Sequence, residues 1–290
     1  MKKSIAFSVL YFIAAITYAQ EGGLLKELDP EPQKQYVTNA FKSSRVINGH
    51  SMEMIGAGVL DFRILHRFGQ VDQGLYEVFG LDQASMRIGF DYGLSRNLTI
   101  GIGRSTLRKE FDGFLKYRLV QQSEGEKSFP FSFILVAGSA INTLKSIDSV
   151  KQSLNSRVSY NYQGIIGRKF NSRISLQLTP TLIYRNFVEA GDKNEIFSLG
   201  FGGRFKLSKR MAFVWDYFAN MAGFPKERSE NPLSLGIDIE TGGHVFQLHF
   251  SNAAGMNERA FITETTGKWS KGDIRFGFNL SRVFTIRKNN

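Results

Sequence analysis

The segment Asp273-Ile-Arg-Phe-Gly-Phe-Asn-Leu-Ser-Arg-Val-Phe-Thr-Ile286 sets Ile274, Phe276, Phe278, Leu280, Phe284 and Ile286 against Asp273, Arg275, Gly277, Asn279, Ser281 and Thr285. Successive side chains of an extended chain point to opposite faces. A period of two is therefore the signature of a strand with one apolar and one polar side. The pattern recurs along most of the chain after residue 55. Leu176, Leu178 and Leu182 stand against Ser175, Gln177, Thr179 and Thr181. Leu199, Phe201 and Phe205 stand against Ser198, Gly200, Gly202, Arg204 and Lys206, and Met86, Ile88, Phe90 and Tyr92 against Arg87, Gly89, Asp91 and Gly93.

Two architectures produce such alternation. A soluble sandwich buries the apolar face against a second sheet, whereas a membrane barrel turns it to lipid and keeps the polar face in its lumen. Strand length separates them. The alternating segments fall near 56–67, 84–93, 97–106, 111–121, 130–142, 157–169, 172–185, 195–207, 210–219, 232–241, 244–252 and 272–286. Many run about 10 residues, the span of a tilted membrane strand, where sandwich strands stop at about 5 or 6. Connections alternate as well. Gly93–Asn97, Phe170–Asn171, Ser208–Lys209 and Thr241–Gly243 are tight, and the longer Phe68–Gln83, Leu144–Ser156, Asn186–Asn194, Asn220–Asn231 and Ala253–Lys271 fall between them. Short turns on one side and long loops on the other mark outer-membrane barrels. Arg108–Glu110 and Gln122–Phe129 break the alternation. Trp215, Tyr217, Tyr184, Tyr92 and Tyr117 take the apolar parity, as rings at a membrane interface do. The reading is all-β: one antiparallel transmembrane β-barrel of about twelve strands with up-and-down topology, over residues 55–290.

The start of the chain assigns the compartment. Met1-Lys2-Lys3 precedes an apolar run from Ile5 to Ala19 that ends Thr17-Tyr18-Ala19, the order of a secretory signal peptide over residues 1–19. The run is shorter than the roughly 20 residues that a membrane-spanning helix needs. The expected location is the cell outer membrane, with both termini periplasmic. The sequence contains no Cys, so an exported domain of this size is stabilised without disulfides. Its formal net charge of +11 suits anionic lipid of the outer leaflet, or anionic solutes, better than nucleic acid, which an exported chain rarely meets. Gly (29), Phe (26) and Tyr (10) against only 6 Pro are the composition of strands and turns.

Several stretches, Phe41-Lys-Ser-Ser-Arg-Val-Ile-Asn-Gly-His50, Phe79-Gly-Leu-Asp82, Gly103-Arg-Ser105, Asp112-Gly-Phe-Leu-Lys-Tyr-Arg118 and Gln121-Gln-Ser123, resemble a Bacteroidota family of outer-membrane barrels of unknown function. The resemblance is densest from about residue 36 to 145. It implies the compartment and the barrel, and no reaction, cofactor or substrate.

Parity then selects the lumen wall. Asp61, Arg63, Arg87, Asp91 and Lys116 point inward, as do Arg118, Arg157, Arg173, Arg185 and Arg204. Lys206, Asp216, Asp238, Glu240 and Arg275 complete the set, which leans basic. An Arg-lined constriction favours anions, so one reading is a narrow passive pore for small anionic solutes. The other is a lumen filled by Arg–carboxylate pairs, a closed structural barrel that anchors or assembles envelope proteins and presents outer loops such as Phe224–Asn231 and Ala253–Lys271 to them. Residues 20–54, with Pro30 and Pro32, read as a periplasmic linker or as a plug carrying Arg45, Asn48 and His50.

Catalysis finds little support. His50, His66, His244 and His249 are the four histidines; His249 has lumen parity beside Gln247 and Ser251, but no spacing resembles a Ser–His–Asp arrangement. His244 and His249, five apart on one strand, face opposite ways and share no metal. Gly101-Ile-Gly103-Arg104 lies in a strand, where glycine serves a bend or a close approach rather than a phosphate cradle.

Overall fold

The computed structural model describes residues 33–145, 153–225 and 229–287. The expected signal peptide, Pro30 and Pro32, and the charged loop residues Lys226, Glu227 and Arg228 lie outside the described residues. Among these, twelve antiparallel strands close into one barrel. In chain order they are β1 (Val59–Gln70), β2 (Ala84–Gly93), β3 (Leu98–Ser105), β4 (Phe111–Val120), β5 (Ser132–Ile141) and β6 (Val158–Lys169). The second half is β7 (Ile174–Arg185), β8 (Glu195–Lys206), β9 (Met211–Ala222), β10 (Leu233–Thr241), β11 (His244–Ser251) and β12 (Arg275–Thr285). Each pairs with the next, and β12 returns to β1 from Gly277↔Arg67 to Thr285↔Val59. Closure leaves no edge with unpaired amides, the condition for a sheet in lipid.

Alternation sorts the side chains as the pattern requires. Ile102, Leu115, Tyr162 and Phe250 stay about half exposed on the outside (65, 54, 51 and 48 %). A continuous apolar outer belt of this kind faces lipid rather than water. The inward sets 61, 63, 65, 67 on β1 and 198, 200, 202, 204 on β8 are buried. The tightest turn, Gly242-Gly243 between β10 and β11, has φ of 52° and 126°. Two-residue hairpin turns that match strand twist place one or both residues at positive φ, and here both are, which glycine adopts without steric cost.

The barrel is filled. Residues 40–55 lie inside it, with Phe41, Val46, Ile47 and Met52 packed against Phe114, Ile134, Val136, Ile165 and Val214 of the wall. The long β11–β12 connection folds in from the loop side. Its helix α1 (Glu258–Thr263) places Phe261 and Ile262 against Ile183, Ile196 and Phe218. This corrects the expectation that Ala253–Lys271 is an outward-presented loop: from Ala253 to Thr265 nearly every residue is buried or half-buried. The helix is buried on nearly every side and carries an apolar pair, Phe261-Ile262, that the lumen shelters.

Candidate functional site

Residues 44–51 form a short hairpin inside the ring of strands. The Val46 amide donates to Gly49 O at 2.8 Å and the Ser51 amide to Ser44 O at 3.0 Å, and Arg45 faces His50 as an antiparallel bridge. At its tip the amides of Ile47, Asn48 and Gly49 all donate to Asp216 Oδ2, at 3.2, 2.7 and 3.0 Å. Three converging N–H groups make a concave anion cradle, here filled by a wall carboxylate. The Asn48 side chain donates to Ser234 Oγ at 2.8 Å and accepts from Arg67 Nη2 at 2.5 Å.

Amide side chains of the wall hold the hairpin's edges. Gln247 Nε2 donates to Val46 O at 2.6 Å, Asn279 Nδ2 to Ile47 O at 3.2 Å and Gln177 Nε2 to His50 O at 2.7 Å. Gln177 Oε1 accepts the Met52 amide at 2.9 Å. At the root, Lys116 Nζ donates to Glu53 O at 2.5 Å, and Arg63 Nη1 to Ser43 Oγ at 2.7 Å. Glu53 in turn accepts the amides of Ala40 and Phe41. The partners come from β1, β4, β7, β9, β10, β11 and β12, so the hairpin is tied around most of the circumference.

From the loop side, Glu258 of α1 accepts Arg45 Nη1 at 2.6 Å, joining the two segments that fill the lumen. His50 Nε2 lies 3.3 Å from the same carboxylate oxygen without hydrogen-bond geometry. Burial, and then the charges of Arg45, Lys116, Arg63 and Arg87, hold the His50 imidazole well below its ordinary pKa. Burial raises the Glu53 carboxyl, against the lowering effect of its amide donors and of Lys116 and Arg118. Behind α1, Asn257 caps the helix by accepting the Ala260 amide at 2.9 Å, and Arg259 bridges Glu110 at 2.5 Å and Glu264 at 2.6 Å.

The residues chosen from parity divide into two groups. Arg63, Arg87, Asp91, Lys116, Arg118, Arg204 and Asp238 are buried on the inner wall, with Asp61 and Asp216. Several are neutralised in place: Arg63 by Asp61 at 3.1 Å, Arg87 by Asp112. Arg185, Lys206, Glu240 and Arg275 are half-exposed at strand ends, and Glu240 pairs with Lys42 at 2.5 Å. Arg173 is a correction. It is exposed in the turn before β7, because the strand begins one residue later, at Ile174. Arg157 ends a 3₁₀ turn at the loop side.

Gln177, Gln247 and Asn279, which hold the hairpin together with Arg67, carry no charge, and Glu258, which latches it, lies in a loop, so charge parity does not single them out. The signal for an occupied lumen lay in apolar residues at inward positions, Phe114, Ile134, Val136, Ile165 and Val214, which a water-filled lumen would not carry. The wall also opens for its neighbours: a Cβ on Gly167 would stand 2.4 Å from Met52 Sδ.

Two cavities flank the insert. One of about 260 Å³ on the loop side is lined by Arg108, Arg157, Arg185, Glu189, Arg259 and Glu264. One of about 360 Å³ on the turn side is lined by Lys42, Glu53, Asp61, Glu240 and His244. Among the described residues no three metal-ligating side chains converge. His249 lies buried beside Arg67 over Gly277 with neither ring nitrogen bonded, while Ser251 Oγ accepts from Ser234 at 2.9 Å, so the pair forms no nucleophile–base couple.

The family described as "Membrane bound beta barrel domain (DUF5777)" matches residues 41–284. Among solved structures, the NanC porin is similar at 7% identity, covering 77% of this chain and 98% of that chain with a TM-score of 0.49. The translocator domain of autotransporter NalP from Neisseria meningitidis is similar at 12% identity over 80% and 89%, with a TM-score of 0.34. A mutant Rh. blastica porin is similar at 10% identity over 78% and 100%, with a TM-score of 0.28. No curated protein sequence matches the chain.

Proposed function

Since the chain belongs to the DUF5777 family of membrane-bound β-barrel domains, we propose that it is an outer-membrane channel closed at rest by its own N-terminal hairpin, with its tight turns and both termini in the periplasm. The observation that carries this reading is the seat of the hairpin tip, three consecutive amides on one Asp216 oxygen. Most of the hold is polar, and many buried polar atoms around it lack a partner, among them Arg45 Nε, Arg67 Nη1, Arg87 Nη1 and Asp91 Oδ1. Groups of this kind are ordinarily met by water. A polar seat exchanges its protein hydrogen bonds for bonds to water when the hairpin leaves, so withdrawal costs less than from a wholly apolar core. Once emptied, and with Arg63 and Arg87 neutralised by Asp61 and Asp112, the wall presents Arg67, Lys116, Arg118 and Arg204 against Asp91, Asp216 and Asp238, a small basic excess that favours anions.

The apolar packing of Phe41, Val46, Ile47 and Met52 favours a second reading, a barrel permanently shut that serves as an anchor for envelope partners. Single-channel recording separates them. The intact mature chain should be silent in a planar bilayer, and a chain lacking residues 36–50 should pass a steady, anion-selective current. Silence that persists in a folded, heat-modifiable barrel after the second lumen-filling segment, residues 253–265, is removed as well would rule out the channel and leave the anchor.

A further inference from the structure

On the lipid side of the wall, Arg168 stands between two aromatic rings. Along β6 the inward residues are Asn161, Gln163, Ile165 and Gly167, so Arg168 points outward with Ile166. Its guanidinium lies 5.6 Å from the ring centre of Phe131 and 5.2 Å from that of Phe170. Ile166 and, across the pair on β7, Leu176 complete an apolar surround. Nε is buried without a partner, and no described residue supplies the side chain with an acceptor.

A guanidinium among lipid-facing apolar groups is strongly disfavoured unless an anion reaches it. Arg168 lies at the turn end of β6, the depth at which a barrel meets headgroups and where long basic side chains extend toward the interface. The two rings fix the plane of the fork, which lowers the ordering cost of meeting a planar, two-oxygen acceptor. Arg282, also on the outer parity near the turn end of β12, repeats the arrangement over Phe284 at 4.9 Å.

We infer that Arg168, clamped by Phe131 and Phe170, is a binding site for the phosphate of a phospholipid in the turn-side leaflet, with Arg282 as a second, weaker contact. The expected anionic lipid contact of the outer leaflet lies at the opposite rim, and the inference does not depend on whether the lumen opens. Native mass spectrometry of the full chain, with added phosphatidylglycerol or diacylglycerol, tests it. The wild type should retain phosphatidylglycerol at least roughly fivefold better than the phosphate-free lipid, the preference that one arginine at a membrane surface supplies. Arg168→Gln should erase that preference while keeping heat-modifiable migration. Equal retention of the two lipids by the wild type, or an unchanged preference in R168Q, would overturn the proposal. Displacement of phosphatidylglycerol by millimolar inorganic phosphate would also overturn it, in favour of a free-anion site. Should R168Q fail to fold, the wild-type comparison of the two lipids decides alone.

Discussion

Asn48 gives its backbone amide to Asp216 Oδ2 at 2.7 Å, between the amides of Ile47 and Gly49 on the same oxygen. A carboxylate accepting backbone N–H groups makes hydrogen bonds worth about 1.5–3 kcal/mol. Replacing Asp216 with Ala leaves three buried amides without their acceptor and should loosen the tip first. Amide exchange over residues 44–51 should accelerate at least roughly tenfold, while heat-modifiable migration of the barrel stays as in the wild type. Exchange that is unchanged in D216A would mean that the apolar contacts alone seat the hairpin.

The latch between Arg45 and Glu258 makes a sharper demand. Both side chains are almost fully buried, at 1% and 7% exposure. Removing one partner of a buried pair strands the other charge, at a cost of about 3–5 kcal/mol. Arg45→Met and Glu258→Met, each alone, should therefore lower the urea midpoint strongly. An Arg45→Met, Glu258→Met double substitution should recover much of the loss, because two apolar side chains suit the surroundings better than one orphaned charge. A double variant as unstable as the sum of the two single ones would show that the pair is not coupled.

Acid should loosen the hairpin through His50. Its imidazole is held well below the ordinary 6.5, first by burial and then by Arg45, Lys116, Arg63 and Arg87. The closed lumen therefore accepts the neutral ring, a preference fully present above 6.5 and lost as pH falls toward the folded-state value. Among the described residues, Glu258 on α1 is the carboxylate that His50 faces, at 3.3 Å from Nε2. Glu53 works in the opposite sense: its carboxyl is raised from 4.5 by burial, so acid relieves rather than strains it. His50→Gln should flatten the rise in hairpin exchange below 6.5, and Glu53→Gln should leave that rise in place. A rise unaffected by H50Q would assign it elsewhere.

The barrel was legible because lipid imposes a rule on every strand. A residue such as Phe278 or Leu199 must face out and its neighbour must not, so the period survives any detail of packing. All twelve strands stand within a few residues of the alternating segments. The lumen was less legible because its contents answer to no period. Arg45, Asn48 and His50 sit in a hairpin whose partners, Asp216 and Glu258, are more than 150 residues away in the chain. Charge parity placed Arg63 and Lys116 on the wall, but not that their nitrogens hold hairpin serine and carbonyl oxygens. Glu258 was hidden more deeply. Its loop reads as an ordinary polar connection, and only the pair Phe261-Ile262 hints that the segment needs cover.

Gly103 of β3 gives the last test. A Cβ on Gly103 would stand 2.2 Å from Arg87 Nη2 and 2.4 Å from Cζ. The neighbour is the end of a flexible side chain, which ordinarily moves aside at little cost. Here it does not move freely, because Asp112 accepts Arg87 Nε at 2.8 Å and Nη2 as well. Gly103→Ala should therefore force a choice between a clash and a broken pair, destabilising the barrel by about 1–3 kcal/mol, the usual cost of overpacking. The physical claim lies in the coupling. With Arg87→Met already in place the space above residue 103 is free, so adding G103A should cost much less than it does in the wild type. Urea unfolding of the two single variants and the double measures this directly. Equal costs in both backgrounds would mean that glycine serves strand curvature at this position, and that the arginine lies over it by coincidence.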